Sequence, residues 1–532
     1  MKTNRVVREL SKVLIALMKY IETFALVTLF SIDAQAKIEG YCWPLSAALG
    51  EVIEFKVSGT GSSQVTFFRH NANSSGVTSI PMGSTTFVPT VQSTNSEAWR
   101  YGCGWSTSFT LSIPSDWPSG IYSAQLTDSV GAHFHITFVV KPAQPRCSRM
   151  AVVANVNTWL AYNGWPGDTN SKYQGRAHLS FLRPNPSASP IPGELHLTRA
   201  ELWILGWLED QSYQPDVYTD IDFHNQAVDL SQYKCIVLST HPEYWSFQMR
   251  SNLDTFLASG GSLLYLGGNG IYEDAEYNSD KTGMIFLGGV DNSDRNLVLF
   301  RTLSPPGEQA TLGVSSDGGC DVGCWCRGAL RLWCNGTAPY LVRQASHPLF
   351  QGTGLSDGQT FGAIGLNTQC GNGGASGWEV DTKDTLKFDC STTGGPELPS
   401  GLVVLATGEN IMSNGEWVGA DMTYYDHPGG GFVFSVGSIT FGGSLVVDTK
   451  IQQIVRNALS AAWVSPLVFV DIANPNPGDG SQGNPYRSIA DAINAAGPGA
   501  TICIKGGDYP QAPLVFSKSA TVRVTNGAAV IH

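Results

Sequence analysis

Charged side chains are scarce in this sequence, and the acidic ones outnumber the basic ones. Asp, Glu, Lys and Arg make up 14% of the 532 residues, and the formal net charge is −12. After the first twenty residues no stretch is rich in Lys and Arg. An acidic chain without a basic stripe has no electrostatic means of holding nucleic acid or an anionic membrane. We therefore expect no nucleic-acid partner.

Several signatures of common enzyme classes are also absent. The chain has no H-E-x-x-H zinc motif and no G-x-S-x-G nucleophile elbow, and no G-x-G-x-x-G or Walker pattern surrounds the glycine-rich loop Gly267-Gly-Asn-Gly270. Its ten His residues show no close pairing typical of metal ligands, although His224 and His241 stay candidates. Beyond the N-terminal segment, no apolar run is long enough to cross a bilayer. Any chemistry must therefore come from a less familiar set of side chains.

The N-terminal segment 1–36 is typical of an export signal. A basic leader precedes an apolar run from Phe24 to Ile32, and Ala34-Gln-Ala36 supplies small residues at the spacing of a cleavage site. The alternatives are an uncleaved anchor or a start codon placed too early, because the leader is long and Glu22 borders the apolar run. Export predicts a secreted or periplasmic protein without a membrane span after cleavage.

Six of the eleven cysteines lie close together in the segment 320–390. They are Cys320, Cys324, Cys326, Cys334, Cys370 and Cys390. In an exported protein such clustering favours an insertion held by disulfides. A zinc site is the alternative, but Cys-x3-Cys-x-Cys-x7-Cys is not a standard zinc spacing. The sequence does not determine which cysteines pair.

The pattern of short strands between residues 37 and 145 predicts an immunoglobulin-like β-sandwich. Alternating segments at 52–57, 65–68, 109–113, 119–126 and 133–140 are separated by Gly, Pro and Ser. Residues 465–532 show a different pattern, in which a short helix at 484–493 precedes very short strands at 501–504, 506–509, 514–516 and 521–524. This tail resembles the first coils of a right-handed parallel β-helix, as in pectate-lyase-like proteins.

Residues 146–464 have the pattern of a parallel α/β domain. Apolar runs at 150–154, 233–238 and 262–266 predict buried strands, and 249–259 predicts a helix with Leu253, Phe256 and Leu257 on one face. Ligands of such sheets bind beyond the carboxyl ends of the strands. That rule gathers four side chains at one edge of the sheet, which are Asn155, His241, Glu243 and Asn269. For Glu243, helix capping and catalysis are equally consistent with the local sequence.

An ordered set of motifs across residues 38–462 resembles the large (beta) subunit of the N,N-dimethylformamidase family. The motifs include Tyr162-Asn-Gly-Trp, His241-Pro-Glu-Tyr-Trp, Gly267-Gly-Asn-Gly and Gly377-Trp-Glu-Val-Asp381. The resemblance implies a class I amidotransferase-like α/β core. The loop after Leu238, where an amidotransferase carries its nucleophilic Cys, has Ser239, His241 and Glu243 instead, which argues against thiol chemistry.

The resemblance also implies a mononuclear Fe(III) site and amide hydrolysis. Motif by motif, Tyr122, Tyr162 and Glu243 correspond to the metal ligands. Glu379 is the expected general base, and His241 and Asn269 are expected to orient water or stabilise negative charge on oxygen. Phenolate and carboxylate oxygens are hard ligands suited to Fe(III). Local sequence alone would make either tyrosine an ordinary packing residue.

Three functions thus stay open at the level of the sequence. The first is iron-dependent hydrolysis of a small linear amide, with a small partner subunit as in the family. The second is an exported carbohydrate-binding or carbohydrate-active protein with a degenerate enzyme core. The predicted β-sandwich, the β-helix-like tail and the 14 Trp residues support this alternative. The third is a structural surface protein that binds no metal. Assembly into a homo-oligomer is compatible with each.

Overall fold

A computed structural model describes residues 38–142, 147–286, 300, 307–316, 336–369, 371–383, 398–410, 419–511 and 513–532. The predicted export signal at 1–36 and all six clustered cysteines of 320–390 lie outside these described residues. Within them the chain is mostly β-structure arranged in several sheets with few helices, which is consistent with the expected multidomain protein of α/β and all-β parts. In the described part of the chain, no helix is both long and apolar enough to cross a bilayer.

Two sheets that enclose a common apolar core form the first unit. Its elements are β1 Glu39–Trp43, β2 Ser46–Ala47, β3 Val52–Ser58, β4 Ser63–Asn73, β5 Gly76–Phe87, α1 Ala98–Tyr101, β6 Phe109–Ser112, β7 Gly120–Thr127 and β8 His133–Val140. The strand orders are β1-β3-β6 and β2-β8-β7-β4-β5. Phe55 and Phe138 meet edge to face across the core, with ring centroids 5.7 Å apart. The five predicted strands are therefore present.

A nine-stranded sheet forms the centre of the second unit. The strands of the whole unit, in this sheet and in three smaller ones, are β9 Met150–Ala154, β10 His178–Ser180, β11 Asp216–Thr219, β12 Cys235–Thr240, β13 Tyr244–Trp245, β14 Ser262–Gly267, β15 Glu273–Tyr277, β16 Gly283–Phe286, β17 Ser315–Ser316, β18 Thr337–Ala338, β19 Tyr340–Val342, β20 Thr360–Phe361, β21 Ser376–Gly377, β22 Asp381–Thr382, β23 Val403–Gly408, β24 Asp421–Asp426 and β25 Phe432–Ser435. The sheet order is β11-β9-β12-β14-β25-β24-β23-β19-β20. Its first five strands are parallel, and the three predicted strands β9, β12 and β14 are among them.

Helices and 3-10 turns connect these strands. The helices are α2 Val156–Ala161, α3 Thr198–Asp210, α4 Asp220–His224, α5 Phe247–Ala258, α6 Glu308–Leu312, α7 Phe441–Leu445 and α8 Thr449–Ala461, and the turns are Lys172–Gln174, Pro186–Ala188, Leu230–Gln232 and Pro348–Phe350. Helix α5 confirms the sequence pattern, because Leu253, Phe256 and Leu257 are buried on it. Ser246 caps it by accepting a hydrogen bond from the backbone N–H of Met249 at 3.2 Å.

The third unit is a parallel sheet built from β26 Leu467–Val470, β27 Ala500–Tyr509 and β28 Ala520–Ile531, with helix α9 Ile489–Ala495 packed on it. Two details correct the sequence-based expectation. The strands predicted at 501–504 and 506–509 are one continuous strand, and residues 514–516 are not a strand. Pro513 precedes that segment and has no backbone N–H for a strand ladder. The β-helix assignment itself stays a prediction.

The first two units pack closely through helix α3. Arg69 of β4 pairs with Glu209 of α3 through both guanidinium nitrogens, one of them at 2.9 Å. Gly206 of the same helix faces the strand, where an added Cβ would lie 1.8 Å from the carbonyl oxygen of Ala72. Only a glycine allows this approach of helix and strand.

A disulfide that the sequence did not predict joins the second and third units. Cys147 and Cys503 are bonded with their Cα atoms 6.1 Å apart, and 356 residues separate them in the chain. Two hydrogen bonds accompany it, because Arg523 Nη1 donates to the Cys147 carbonyl at 3.0 Å and the Leu467 N–H donates to the Ser212 carbonyl at 2.7 Å. The tail is thus fastened covalently beside the start of β9.

Loss of this disulfide is expected to free the tail for proteolysis. Disulfides commonly contribute about 2–4 kcal/mol, so Cys503→Ser should expose the connection at 462–466 and release the tail earlier under limited chymotrypsin treatment, which can cut after Trp463. Reductant should accelerate cleavage of the wild-type protein in the same way and leave the variant unchanged. A cleavage pattern that neither change alters would show that non-covalent contacts alone hold the tail.

Acid is expected to destabilise the fold through two buried histidines. His70 Nε2 and His135 Nδ1 both bond the Ser123 hydroxyl, at 2.7 and 2.9 Å. Burial lowers the pKa of His70 to about 3 and that of His135 to about 4. Because unfolded histidine titrates near pH ~6.5, these groups stabilise the fold fully above that pH. Their contribution is lost as the pH falls towards 4.

Denaturant unfolding at pH 8 and pH 5 tests this expectation. Each buried histidine should cost up to about 2 kcal/mol over that range. His70→Gln keeps a hydrogen-bonding side chain without the titration, so it should lose correspondingly less stability between the two pH values. An equal loss in variant and wild type would assign the acid sensitivity to other groups.

Candidate active site

Three loops meet at the carboxyl ends of the parallel strands. His241 and Glu243 follow β12, Asn269 follows β14, and Glu379 lies between β21 and β22. The loops touch at Gly268, where an added Cβ would lie 2.4 Å from the Glu379 carbonyl oxygen. The Gly267-Gly-Asn-Gly segment therefore permits a close backbone approach, which is one of the roles that its glycines suggest.

Each of these loops contains a non-glycine residue in the left-handed region. The φ angles are 56° at Thr240, 55° at Asn269 and 60° at Trp378. Such backbone conformations cost about 1–3 kcal/mol each and cluster at functional sites. They occur directly before His241, at Asn269 itself and directly before Glu379, so the loops hold these side chains in imposed orientations.

His241 lies between two carboxylates. Its Nε2 atom is 3.2 Å from Glu243 Oε2 and 3.0 Å from Glu379 Oε2. Burial lowers the pKa of His241, but the two carboxylates outweigh burial and raise it to about 10. Asn269 Nδ2 donates to the same Glu379 oxygen at 2.8 Å. The group is almost closed to solvent: His241 is 1% exposed, and the Glu379 side chain keeps 18% exposure.

Two tyrosines complete the cluster on the side of Glu243. Tyr162 ends helix α2, Tyr173 lies in the 3-10 turn Lys172–Gln174, and their ring centroids are 4.5 Å apart. The Tyr173 hydroxyl is 3.2 Å from Glu243 Oε2 and 2.7 Å from the Tyr244 hydroxyl. Burial and nearby ionisable groups, including the Glu243 carboxylate, raise the pKa of Tyr162 and Tyr173 well above the usual value. Without a bound cation these phenols keep their protons.

The structure places Tyr122 elsewhere, which corrects its assignment as a metal ligand. Its ring packs between Trp117 and Phe138 in the sandwich core, with centroid distances of 4.9 and 5.8 Å. Its hydroxyl donates to the Pro118 carbonyl at 2.7 Å. Burial raises its pKa, so it is a neutral, satisfied core side chain. Tyr173 occupies the position next to Tyr162 and Glu243 that Tyr122 was expected to take.

Tyr173 was missed because no family motif pointed to it. A local signal was present, since Ser171 and Gln174 form a capping box around the turn that carries it. That signal predicts the turn but not that the tyrosine faces Glu243. Tyr122 was assigned instead because it ends the strand motif Ser119-Gly-Ile-Tyr122, which also resembles the family.

Buried hydrogen bonds from Asp381 and Thr158 support the backbone of these loops. Asp381, 0% exposed, accepts hydrogen bonds from the backbone N–H of Asn269 at 2.8 Å and from the Tyr265 hydroxyl at 2.5 Å. Thr158 Oγ1 donates to the His241 carbonyl at 2.8 Å. These buried bonds fix the backbone that carries His241 and Asn269.

Asn155 and His224 are the other two positions that the sequence suggested, and the structure places Asn155 beside this cluster and His224 outside it. Asn155 ends β9 and donates to the Ser239 carbonyl at 2.7 Å, so it ties neighbouring strand ends together. His224 bonds the Ser246 hydroxyl at 2.7 Å and packs on Tyr277, outside the cluster. Among the residues whose structure is described, no three His, Cys, Asp or Glu are placed to share a metal ion. A metal at this site would therefore require the phenols.

Comparison with known proteins agrees with this arrangement of motifs. The family model described as N,N-dimethylformamidase beta subunit-like, C-terminal, matches residues 64–453. The chain belongs to this N,N-dimethylformamidase beta subunit-like family. The match spans both the sandwich and the α/β unit, and it ends within helix α8, before the tail.

Two curated relatives carry the family name. The N,N-dimethylformamidase beta subunit of Paracoccus aminophilus is 24% identical and that of Alcaligenes sp. is 23% identical, each covering 67% of this chain. The chain spans about half of their length, 54% in both cases. Among solved structures, a superoxide reductase from Ignicoccus hospitalis covers 21% of this chain and 86% of its own at 13% identity. Its TM-score is 0.14, which is too low to indicate a shared fold.

Proposed function

We propose that this chain is a metal-dependent hydrolase of a small linear amide. The observation that carries the proposal is the convergence of Tyr162, Tyr173 and Glu243 next to the His241–Glu379 pair. The relatives named N,N-dimethylformamidase support amide hydrolysis as the reaction. The nearly closed site favours a small substrate over a polymer.

The donor set fits Fe(III) bound through Tyr162, Tyr173 and Glu243. Two phenolates and a carboxylate are hard oxygen ligands with three negative charges, which match a trivalent cation. Burial raises the pKa of both phenols, so a bound cation would have to displace their protons for them to act as phenolate ligands. When bound, Fe(III) would supply Lewis acidity that polarises an amide carbonyl.

Glu379 is proposed as the group that moves the proton. Both of its described bonds, to Asn269 and His241, go to Oε2, which leaves Oε1 for a water molecule. The carboxylate would take a proton from the attacking water and deliver it to the departing amine. His241 and Asn269 hold the carboxylate in place, and stabilisation of developing negative charge by their N–H groups is part of the same proposal.

The finer features of the fold and setting belong to the same proposal. The parallel sheet with polar loops at its carboxyl edge supports an amidotransferase-like core, and Cys235, buried inside β12, does not face those loops. The relatives are named as beta subunits, so we infer that a partner subunit completes the enzyme. The Cys147–Cys503 disulfide supports a secreted or periplasmic location.

Amine release from small formamides tests the proposed activity. The purified full chain is incubated with formamide, N-methylformamide and N,N-dimethylformamide after loading with Fe(III), and again after chelation. The proposal predicts turnover that chelation abolishes and that Fe(III) restores. Turnover of none of these amides, with the metal bound and with the partner subunit of a relative added, would contradict it.

A further inference from the structure

Tyr244 is a buried tyrosine beside the proposed metal site to which no role has been given above. It lies in β13 directly after Glu243 and is 1% exposed. Its hydroxyl oxygen is 2.7 Å from that of Tyr173, whereas the Tyr173 hydroxyl lies 3.2 and 3.4 Å from the two Glu243 carboxylate oxygens. Tyr244 therefore contacts the oxygen through which Tyr173 would bind a metal.

Several buried contacts fix the ring of Tyr244. Phe286 meets it edge to face with ring centroids 5.0 Å apart, and Lys172 Nζ lies 5.1 Å from its centroid. Lys172 is itself held by an ion pair with Glu273 at 2.6 Å, in which the Glu273 side chain is 1% exposed. Asn157 Nδ2 donates to the Tyr244 carbonyl at 3.1 Å. The hydroxyl thus has little freedom to move.

The Lys172–Glu273 ion pair connects the two tyrosines. Lys172 precedes Tyr173 in the 3-10 turn, and Glu273 is the residue of β15 that pairs with Tyr244 in the strand register. Burying two charges is costly, and the best-attested use of such a pair is to specify how two segments fit together. Here the pair joins the turn that carries Tyr173 to the strands that carry Tyr244.

We propose that Tyr244 is a positioning residue, which donates a hydrogen bond to the Tyr173 oxygen and so orients and tunes this ligand for Fe(III). The inference rests on the proposed metal site. Either hydroxyl can donate while both carry a proton, but a phenol oxygen that binds a cation has given up its own, so only Tyr244 then remains a donor. Such bonds from outer-shell partners orient metal ligands and contribute to metal affinity.

Removal of this hydrogen bond should change the visible absorption of the Fe(III)-loaded protein. A donor at a phenolate oxygen stabilises its lone pairs, so transfer of an electron from that oxygen to Fe(III) takes more energy. Tyr244→Phe keeps the ring and removes the donor. We expect its tyrosinate band to lie at longer wavelength than in the wild type, and its affinity for Fe(III) to fall by about 10- to 100-fold.

The experiment compares visible spectra and chelator competition for Fe(III) in the full chain as wild type and variants, with circular dichroism to verify folding. Tyr425→Phe is the matched control, since Tyr425 is buried and its hydroxyl donates to the Thr311 carbonyl at 2.6 Å. It should leave band and affinity unchanged. The double variant Lys172→Met/Glu273→Gln removes both charges of the ion pair and should move the band in the same direction as Tyr244→Phe, by a smaller amount.

A band and an affinity that stay at their wild-type values in Tyr244→Phe would reduce Tyr244 to a packing role and overturn the inference. Loss of iron and colour as complete as in Tyr173→Phe would also overturn it, because Tyr244 would then be a ligand itself. An iron-free, colourless wild type is a different outcome, which removes the proposed metal site and this inference with it.

Discussion

Replacement of Tyr173 by Phe is expected to remove most of the bound iron, whereas Tyr122→Phe is expected to retain it. Tyr173 places its hydroxyl 3.2 Å from Glu243 Oε2, so its loss removes one of the three proposed ligands. Outer-shell changes alone cost about 10- to 100-fold in metal affinity, and loss of a direct ligand should exceed ~100-fold by the same comparison. Tyr162→Phe should behave like Tyr173→Phe.

Tyr122→Phe is the matched control because it removes the same hydroxyl from a buried tyrosine. The hydroxyl donates to the Pro118 carbonyl at 2.7 Å and also interacts with the Arg69 guanidinium, both within the first unit. Its loss should cost about 1 kcal/mol of stability with metal content unchanged. Metal analysis of the three variants after identical loading decides between the sites. Loss of iron in Tyr122→Phe, with iron retained in Tyr173→Phe, would restore the ligand set expected from the motifs.

Glu379→Gln is expected to lower kcat by about 10²- to 10⁴-fold, the range attributed to a general base. Gln preserves size and can still contact Asn269 and His241, but it cannot take a proton from water. Metal content should change far less than in Tyr173→Phe, because Glu379 is not one of the three proposed ligands. Single-turnover measurement of amine release separates this chemical step from substrate binding.

Glu97→Gln supplies the control for removal of a carboxylate. Glu97 is exposed, lies in the first unit and makes no side-chain capping bond to helix α1. Its kcat should equal that of the wild type. If Glu379→Gln kept kcat within threefold, the general base would have to be another group, and Glu379 would serve only to hold His241.

The sequence predicted those parts of the fold in which apolar residues recur with the regular spacing of a strand or a helix. Strands of the sandwich and helix α5 were found because alternation and helical spacing follow directly from which faces are buried. His241 and Asn269 followed from one further rule, since neighbouring parallel strands bring their carboxyl ends together. Glu379 lies on a loop that is distant in the sequence, so it could be proposed as a site residue only from the resemblance to the family.

Other features depend on contacts that local patterns do not encode. Tyr173 faces Glu243 only because a 3-10 turn folds back over helix α2. The Cys147–Cys503 bond closes a separation of 356 residues, so no cysteine spacing could indicate it. The error at Tyr122 has the same origin, because a strand tyrosine in a four-residue motif does not reveal which face it occupies.

The most direct test of the account is iron content together with the visible spectrum of the purified chain and of Glu243→Ala. Tyrosine oxygen bound to Fe(III) gives a coloured protein, and neither the carbohydrate-binding nor the structural alternative requires colour. The account predicts about one iron per chain with a tyrosinate absorption band in the wild type, both lost in Glu243→Ala. A wild-type protein that stays colourless and iron-free after reconstitution would contradict it.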